Sequence, residues 1–368
     1  MNNPFTSPFS MPPDLKDNER EARERLRAFW AGTSCGRRPA LGVTAGSPDR
    51  EATRSPWSGT ASRKERELLA DYQVWACAPV FSGVRYLAES FPGVKLDWGT
   101  ALETVAAFAG GDYDFEAGSA WIKPIPDLWS RPLPHFSPRH PLVPKLEAIF
   151  DALSVHVGHR ALITPPLLLD GLTTLSMFRE TPLLCTELMD RPDDVRRWSS
   201  ALTRLGMEIY EHFYRFLGAR GYTDTASWLA IAAEGRMEAV QCDFAAMLSP
   251  AQFREFVMPD LRRMVEYLDF SLYHLDGVEQ MRFLDLLREI EGLNGIQWNP
   301  QPQHGRELLK WVEAFREIRK RKFSLFIWCR NEPDTAVTLA RELGPDGLYL
   351  DLGHFDSVDE AESVIRRI

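Results

Sequence analysis

The second half of the chain alternates short apolar runs with amphipathic stretches, and it does so five times. The runs end in polar or sulfur-bearing residues: Gln241-Cys242-Asp243, Tyr273-His274-Leu275-Asp276-Gly277, Gln297-Trp298-Asn299-Pro300, Trp328-Cys329-Arg330-Asn331 and Asp351-Leu352-Gly353-His354. Strand-then-helix alternation at this spacing predicts a parallel sheet with helical crossovers. In barrels of that kind, residues at the carboxyl ends of the strands meet at one face. The pattern therefore predicts that Cys242, Asp243, His274, Asp276, Asn299, Cys329, Asp351 and His354 gather around one pocket.

The periodicity predicts these units one by one. The strands are 237–242, 270–274, 295–298, 323–329 and 347–352, and the helices are 249–268, 278–291, 305–321, 334–343 and 358–367. Ser249-Pro250-Ala251-Gln252 has the form of a capping box with Pro in the first turn. Upstream, Ala22, Leu26, Phe29 and Trp30 share one face of a helix over 17–31. A first strand follows Pro39, over 38–45. Helices are predicted over 141–156, 181–189 and 191–217, and a strand over 161–169. Ser227 to Ala232 reads as one more apolar run. Residues 46–64 form a polar loop of a length more typical of a lid or a disordered segment than of an ordinary connection. Residues 73–140 read as an irregular insertion, and 1–16 as a flexible arm. The remainder, 17–368, is a single domain on this reading.

Composition narrows the function. Of the 368 residues, 44% are hydrophobic and 26% charged, so a core is expected without disulfides or metal. A formal charge of -9 argues against a nucleic-acid surface, which is normally basic. Five scattered cysteines, none in a C-x-x-C pair, read as reduced thiols of a cytoplasmic protein. The longest apolar runs are too short to cross a bilayer, so no membrane partner is expected. There is no P-loop, no dinucleotide-binding glycine fingerprint and no nucleophile elbow.

The candidate chemistry centres on His274 and Asp276. Residues two apart on a strand point to the same side. That suits metal ligation, substrate hydrogen bonding or an acid–base pair, and equally a histidine satisfied by its neighbour. Cys242 and Asp243 end the preceding strand. Cys242 is either an activated thiol or a small core residue, and Cys329 is weighted toward packing. His354 lies just past the last strand. Trp298 and Trp328 are candidate walls of an apolar substrate pocket, with packing as the plainer role. Asp351 is a candidate substrate-binding residue.

The order of these strand-end motifs, the first helix and Arg38-Pro39 together resemble the uroporphyrinogen decarboxylase superfamily, which includes corrinoid-dependent methyltransferases. The stretch from Met247-Leu248-Ser249-Pro250-Ala251-Gln252 through Phe256 to Pro259 carries most of the likeness, with Tyr273 to Gly277 and the last two strand–helix units. The resemblance covers most of 20–368 and is firm from about Glu238 onward. It implies a (β/α)8 TIM barrel with additional amino-terminal helices and a cleft at the strand carboxyl ends.

The decarboxylase holds substrate carboxylates on an arginine-rich loop after the first strand. Here Arg50, Arg54, Arg63 and Lys64 lie in that region without matching the motif. The methyltransferases carry zinc on an H-x-C pair and a later cysteine. Here His274 matches the histidine, Asp276 stands in place of the first cysteine, and the second falls in Asp351 to His354. The expectation is zinc on His274 and Asp276, with Cys242 or His354 as third ligand. The leading expectation is a methyltransferase-like enzyme acting on a small molecule, with a corrinoid protein as partner. Asp243, His274, Asp276 and Asn299 are its expected catalytic residues. The alternatives are a metal-free decarboxylase or lyase, with His274 as proton donor and Asp243 or Asp276 stabilising a cation, and a non-catalytic tetrapyrrole or corrinoid binder.

Overall fold

The structure is a computed structural model that describes residues 14–47, 63–96, 103–116, 119–301 and 307–368. The expected arm up to residue 13, and most of the expected loop over 46–64, lie outside the described residues. The strands are β1 (Ala40–Gly46), β2 (Val84–Ala88), β3 (Gly93–Val94), β4 (Tyr113–Glu116), β5 (Ser119–Ile122), β6 (Leu162–Ile163), β7 (Thr225–Ala226), β8 (Ala232–Ala233), β9 (Met237–Gln241), β10 (Phe270–Asp276), β11 (Gly295–Asn299), β12 (Ser324–Trp328) and β13 (Leu348–Phe355).

These strands make a mixed α/β fold around a seven-stranded sheet of order β2-β1-β13-β12-β11-β10-β9, parallel throughout except for β2. β3 and β6 pair separately in parallel, and β4–β5 and β7–β8 are small antiparallel pairs. Among the described residues the ladder does not close into the continuous eight-stranded barrel expected from the sequence.

One face of the sheet is built in rows set by register. Ala239, Leu272, Gly295 and Ser324 form the first row, near the amino-terminal ends. Gln241, His274, Gln297, Phe326, Tyr349 and Ala40 form the second. Asp276 and Asn299 are paired in the third, as are Trp328, Asp351 and Gly42. Polarity thus rises toward the carboxyl ends. Gly42 is required in the third row, because a Cβ there would meet the Tyr349 hydroxyl at 2.8 Å and Asp351 Oδ1 at 3.1 Å.

The other end is sealed by the helix Glu19–Trp30. Its buried residues Ala22, Leu26, Phe29 and Trp30 recur at helical spacing and join Ala239, Leu272, Phe326 and Tyr349 in one apolar cluster. Backbone carbonyls at the helix end tie it to the strand starts: Ser324 Oγ donates to Phe29 O at 2.7 Å, Asn294 Nδ2 to Trp30 O at 3.3 Å, and Gly347 N to Thr33 O at 2.8 Å. This helix therefore covers the amino-terminal end of this face. The second, larger core lies between the sheet and the outer helices.

Several expected elements are shorter or broken for local reasons. The strand expected over 161–169 is only Leu162–Ile163, because Pro165 and Pro166 offer no N–H to a ladder. The buried chain beyond them leads to Asp170, whose side chain caps a helix the periodicity missed, Gly171–Arg179. The apolar run over 227–232 is largely a turn between β7 and β8, closed by Ser227 N donating to Ile231 O. The helix expected over 249–268 starts with the full capping box at Ser249 and then widens into a π-turn, Phe253–Val257. Pro259 explains this: its ring would clash with the carbonyl of residue 255 in a regular α-helix. The helix expected over 278–291 is a 3-10 stretch, Val278–Phe283, followed by a short α-helix, Leu284–Arg288.

Candidate functional site

At the carboxyl-terminal edge of this face, Asp243, His274 and Asp276 come together. One ligand atom from each lies within 4.8 Å of the others. Strand alternation brings His274 and Asp276 to the same side of β10, and Asp243 begins the turn that follows β9.

Each group is held in place by a neutral partner. His274 is 7% exposed. Its Nδ1 meets Gln297 Oε1 across the β10–β11 pair. The amide orientation of Gln297 is fixed by its Nε2, which donates to Trp298 O at 2.8 Å. An oxygen facing Nδ1 requires a proton on that nitrogen. Nε2 is left facing Asp276 Oδ1, 4.0 Å away. Asp276 accepts from Asn299 Nδ2 at 2.6 Å and from Gln301 Nε2 at 3.0 Å. Asp243 Oδ2 accepts from Gln241 Nε2 at 3.0 Å, and its backbone N–H donates to Thr173 Oγ1. Burial pushes the Asp243 carboxyl up; His274 pulls it down, and Asp170 and Asp276 push it up further. Two carboxylates and an imidazole nitrogen, with only amide donors to the carboxylates among the described side chains, form a donor set suited to a divalent cation.

The walls are aromatic. Trp228 packs edge-on against His274, with centroids 4.9 Å apart, and Trp328 lies 6.1 Å from Trp228 and 6.4 Å from His274. Asp351, next to Trp328 in register, accepts from Arg330 Nε at 2.7 Å and from Gly353 N at 3.0 Å. Arg330 also lies over the Trp328 ring. Asp351 therefore belongs to the rim, with its carboxylate already engaged.

Three expected members lie elsewhere. Cys242 is fully buried on the opposite side of the chain from Gln241 and Asp243, beside Asp170 and Tyr273, and burial drives its thiol far up. It is a core thiol and no third ligand. His354 lies near the surface with both ring nitrogens within hydrogen-bonding distance of β1: Nε2 is 2.9 Å from Gly46 O and Nδ1 is 3.1 Å from Thr44 Oγ1. Trp298 points to the helix layer, packed on Trp311 and Phe315, because it alternates with Gln297. Cys329 is buried, as packing suggested.

Gln241, Gln297, Gln301 and Trp228 were not singled out as site residues from the sequence. The three glutamines were within reach, since Gln241-x-Asp243 and Gln297-x-Asn299-x-Gln301 share the spacing of His274-x-Asp276. Trp228, carried in by the turn between β7 and β8, leaves no local signal. Compared with known proteins, the sequence matches no family model and no curated protein. Among the described residues, no helix is long and apolar enough to cross a membrane.

Proposed function

We propose that this chain is an enzyme of the uroporphyrinogen decarboxylase-like, methyltransferase-type class, acting on a small molecule at the Asp243–His274–Asp276 group with a divalent ion, zinc, held there. The observation that carries this reading is the commitment of His274 Nδ1 to Gln297, which turns Nε2 toward two carboxylates. A second-sphere carbonyl oxygen of this kind is the usual way to fix the ligating nitrogen of a histidine. The ion would supply Lewis acidity to a substrate heteroatom. Around it, Gln241, Asn299 and Gln301 hold the carboxylates, and Trp228 and Trp328 keep water from the apolar side. A corrinoid protein as methyl donor follows from the resemblance alone.

The eight-stranded barrel belongs to the same proposal. Its support is that the segments flanking the β3–β6 pair are tied by single bonds to β1 on one side and to the small β7–β8 pair on the other. Val43 N donates to Ser90 Oγ, and Thr164 Oγ1 donates to Ala226 O. A second reading, metal-free acid–base or lyase chemistry, draws on the raised Asp243 carboxyl, which could carry a proton to a substrate.

The two readings separate on metal content. Protein purified without chelators is expected to carry one zinc per chain by elemental analysis. His274→Ala and Asp276→Asn should abolish stoichiometric uptake, and Gln297→Leu should weaken affinity by about 10- to 100-fold. A metal-free protein whose activity survives His274→Ala would leave the acid–base reading.

A further inference from the structure

Next to this group lies a second feature that the proposed chemistry does not use. A shallow cleft opens to solvent beyond the carboxyl ends of β3 and β6. It is lined by Leu96, Pro165, Pro166, Leu167 and Trp228, with Lys95, Thr104, Thr164 and Glu238 as its polar groups. Trp228 is shared: it lines the cleft and packs on His274. The cleft is thus one indole ring away from the candidate metal group.

We infer that this cleft is a substrate subsite for a small organic monocarboxylate, its apolar body against Trp228 and Leu167 and its carboxylate at Lys95. The inference rests on the reading of the neighbouring group as the reaction centre. Three observations support it. Lys95 follows directly on β3 and is exposed, and among the described residues no acid pairs with it. Among the described lining residues it is the only cation, which balances one negative charge and not two. Glu238, the carboxylic acid among the described wall residues, is wholly buried and accepts backbone N–H bonds from Ala239 at 2.8 Å and Leu168 at 3.4 Å. Burial raises its carboxyl to about 8. At neutral pH it is therefore mostly uncharged and does not repel an anion. When protonated it also has a hydroxyl hydrogen to donate, and an entering acceptor can take it.

The remaining lining favours a carboxylate with a hydrocarbon body over a sugar or a phosphate ester. Apolar side chains form the larger part of the wall, and such sites use few polar groups to fix orientation. Phosphate binding commonly relies on an arginine fork or a cluster of backbone N–H groups, and the described lining residues include no arginine.

The test is calorimetric titration of the full-length protein with hexanoate, hexanol and hexylamine. Hexanoate should bind at least about fivefold more tightly than hexanol, the scale of one partly exposed ion pair. Lys95→Met, which keeps the aliphatic stem, should remove that preference, and Lys95→Arg should restore it. Equal affinity for hexanoate and hexanol, preference for hexylamine, or an unchanged preference in Lys95→Met would each overturn the inference. Zinc content is measured on the same samples. Zinc loss in Asp276→Asn with hexanoate binding intact shows the subsite standing apart from the metal. Zinc present without hexanoate binding removes the subsite and leaves the metal reading in place.

Discussion

At the scale of single residues, buried polar groups decide the behaviour of this protein. Asn299, Gln301, Gln241 and Gln297 are uncharged, so they position the carboxylates and the imidazole without neutralising them. Glu238 is the buried acid with the clearest consequence for stability. Its carboxyl is held near 8 in the fold, against an ordinary value of 4.5, chiefly by burial. Between those two values the folded protein keeps a proton that the unfolded chain releases. Stability from this group is therefore complete below about pH 4.5, falls as pH rises, and is lost above about pH 8. Glu238→Gln should flatten this dependence. Denaturant midpoints taken at about pH 5 and about pH 8 should differ less in the variant than in the parent. Equal differences in both would mean that Glu238 does not set the slope.

At the scale of elements, the helix Glu19–Trp30 and the sheet depend on each other. Phe29 is 1% exposed and packs edge-on against Trp30 and Tyr349, at centroid distances of 5.0 Å and 5.7 Å. Phe29→Ala should destabilise the protein by about 3–5 kcal/mol, the usual range for losing a buried Phe. Urea denaturation measures this, and a loss below about 1 kcal/mol would show that the helix is not an integral seal of the sheet. The charged face of the same helix contributes less. Arg20–Glu24 and Arg25–Glu21 are (i, i+4) pairs open to solvent on at least one side. The buried carboxylate of Glu89 is a different case. It accepts from Arg38 Nη1 and Nη2, at 2.7 Å and 2.9 Å, and from the N–H of Leu41, which ties the segment after β2 to the start of β1.

At the scale of the whole molecule, the larger core divides the thiols by access. Cys35 is exposed and Cys185 half-buried, while Cys77, Cys242 and Cys329 are buried. Burial pushes the Cys77 thiol up to about 11 and raises Cys242 and Cys329 as well. Only a thiolate attacks a disulfide reagent. At neutral pH an aromatic disulfide should react promptly with Cys35, slowly with Cys185, and with the other three only as the molecule unfolds. Prompt labelling of Cys242 in the native protein, located by peptide mapping, would contradict its assignment to the core.

The sequence by itself determined the strand–helix rhythm from β9 onward, because alternation and helical period survive in any context that buries one face. It also determined the pairing of His274 with Asp276, since a period of two puts both on one side. It did not determine which neighbours complete the group. Cys242 and Asp243 are adjacent in sequence, so a strand turns them to opposite sides, and only the fold shows which faces inward. Trp298 and Gln297 divide in the same way. His354 is drawn to β1 by a pairing across most of the chain, and Trp228 reaches His274 through a turn that reads in sequence as an apolar run. These contacts depend on register and on closure between distant segments, which a one-dimensional pattern does not encode. Tertiary structure alone decided that Asp243, and neither Cys242 nor His354, stands with His274 and Asp276.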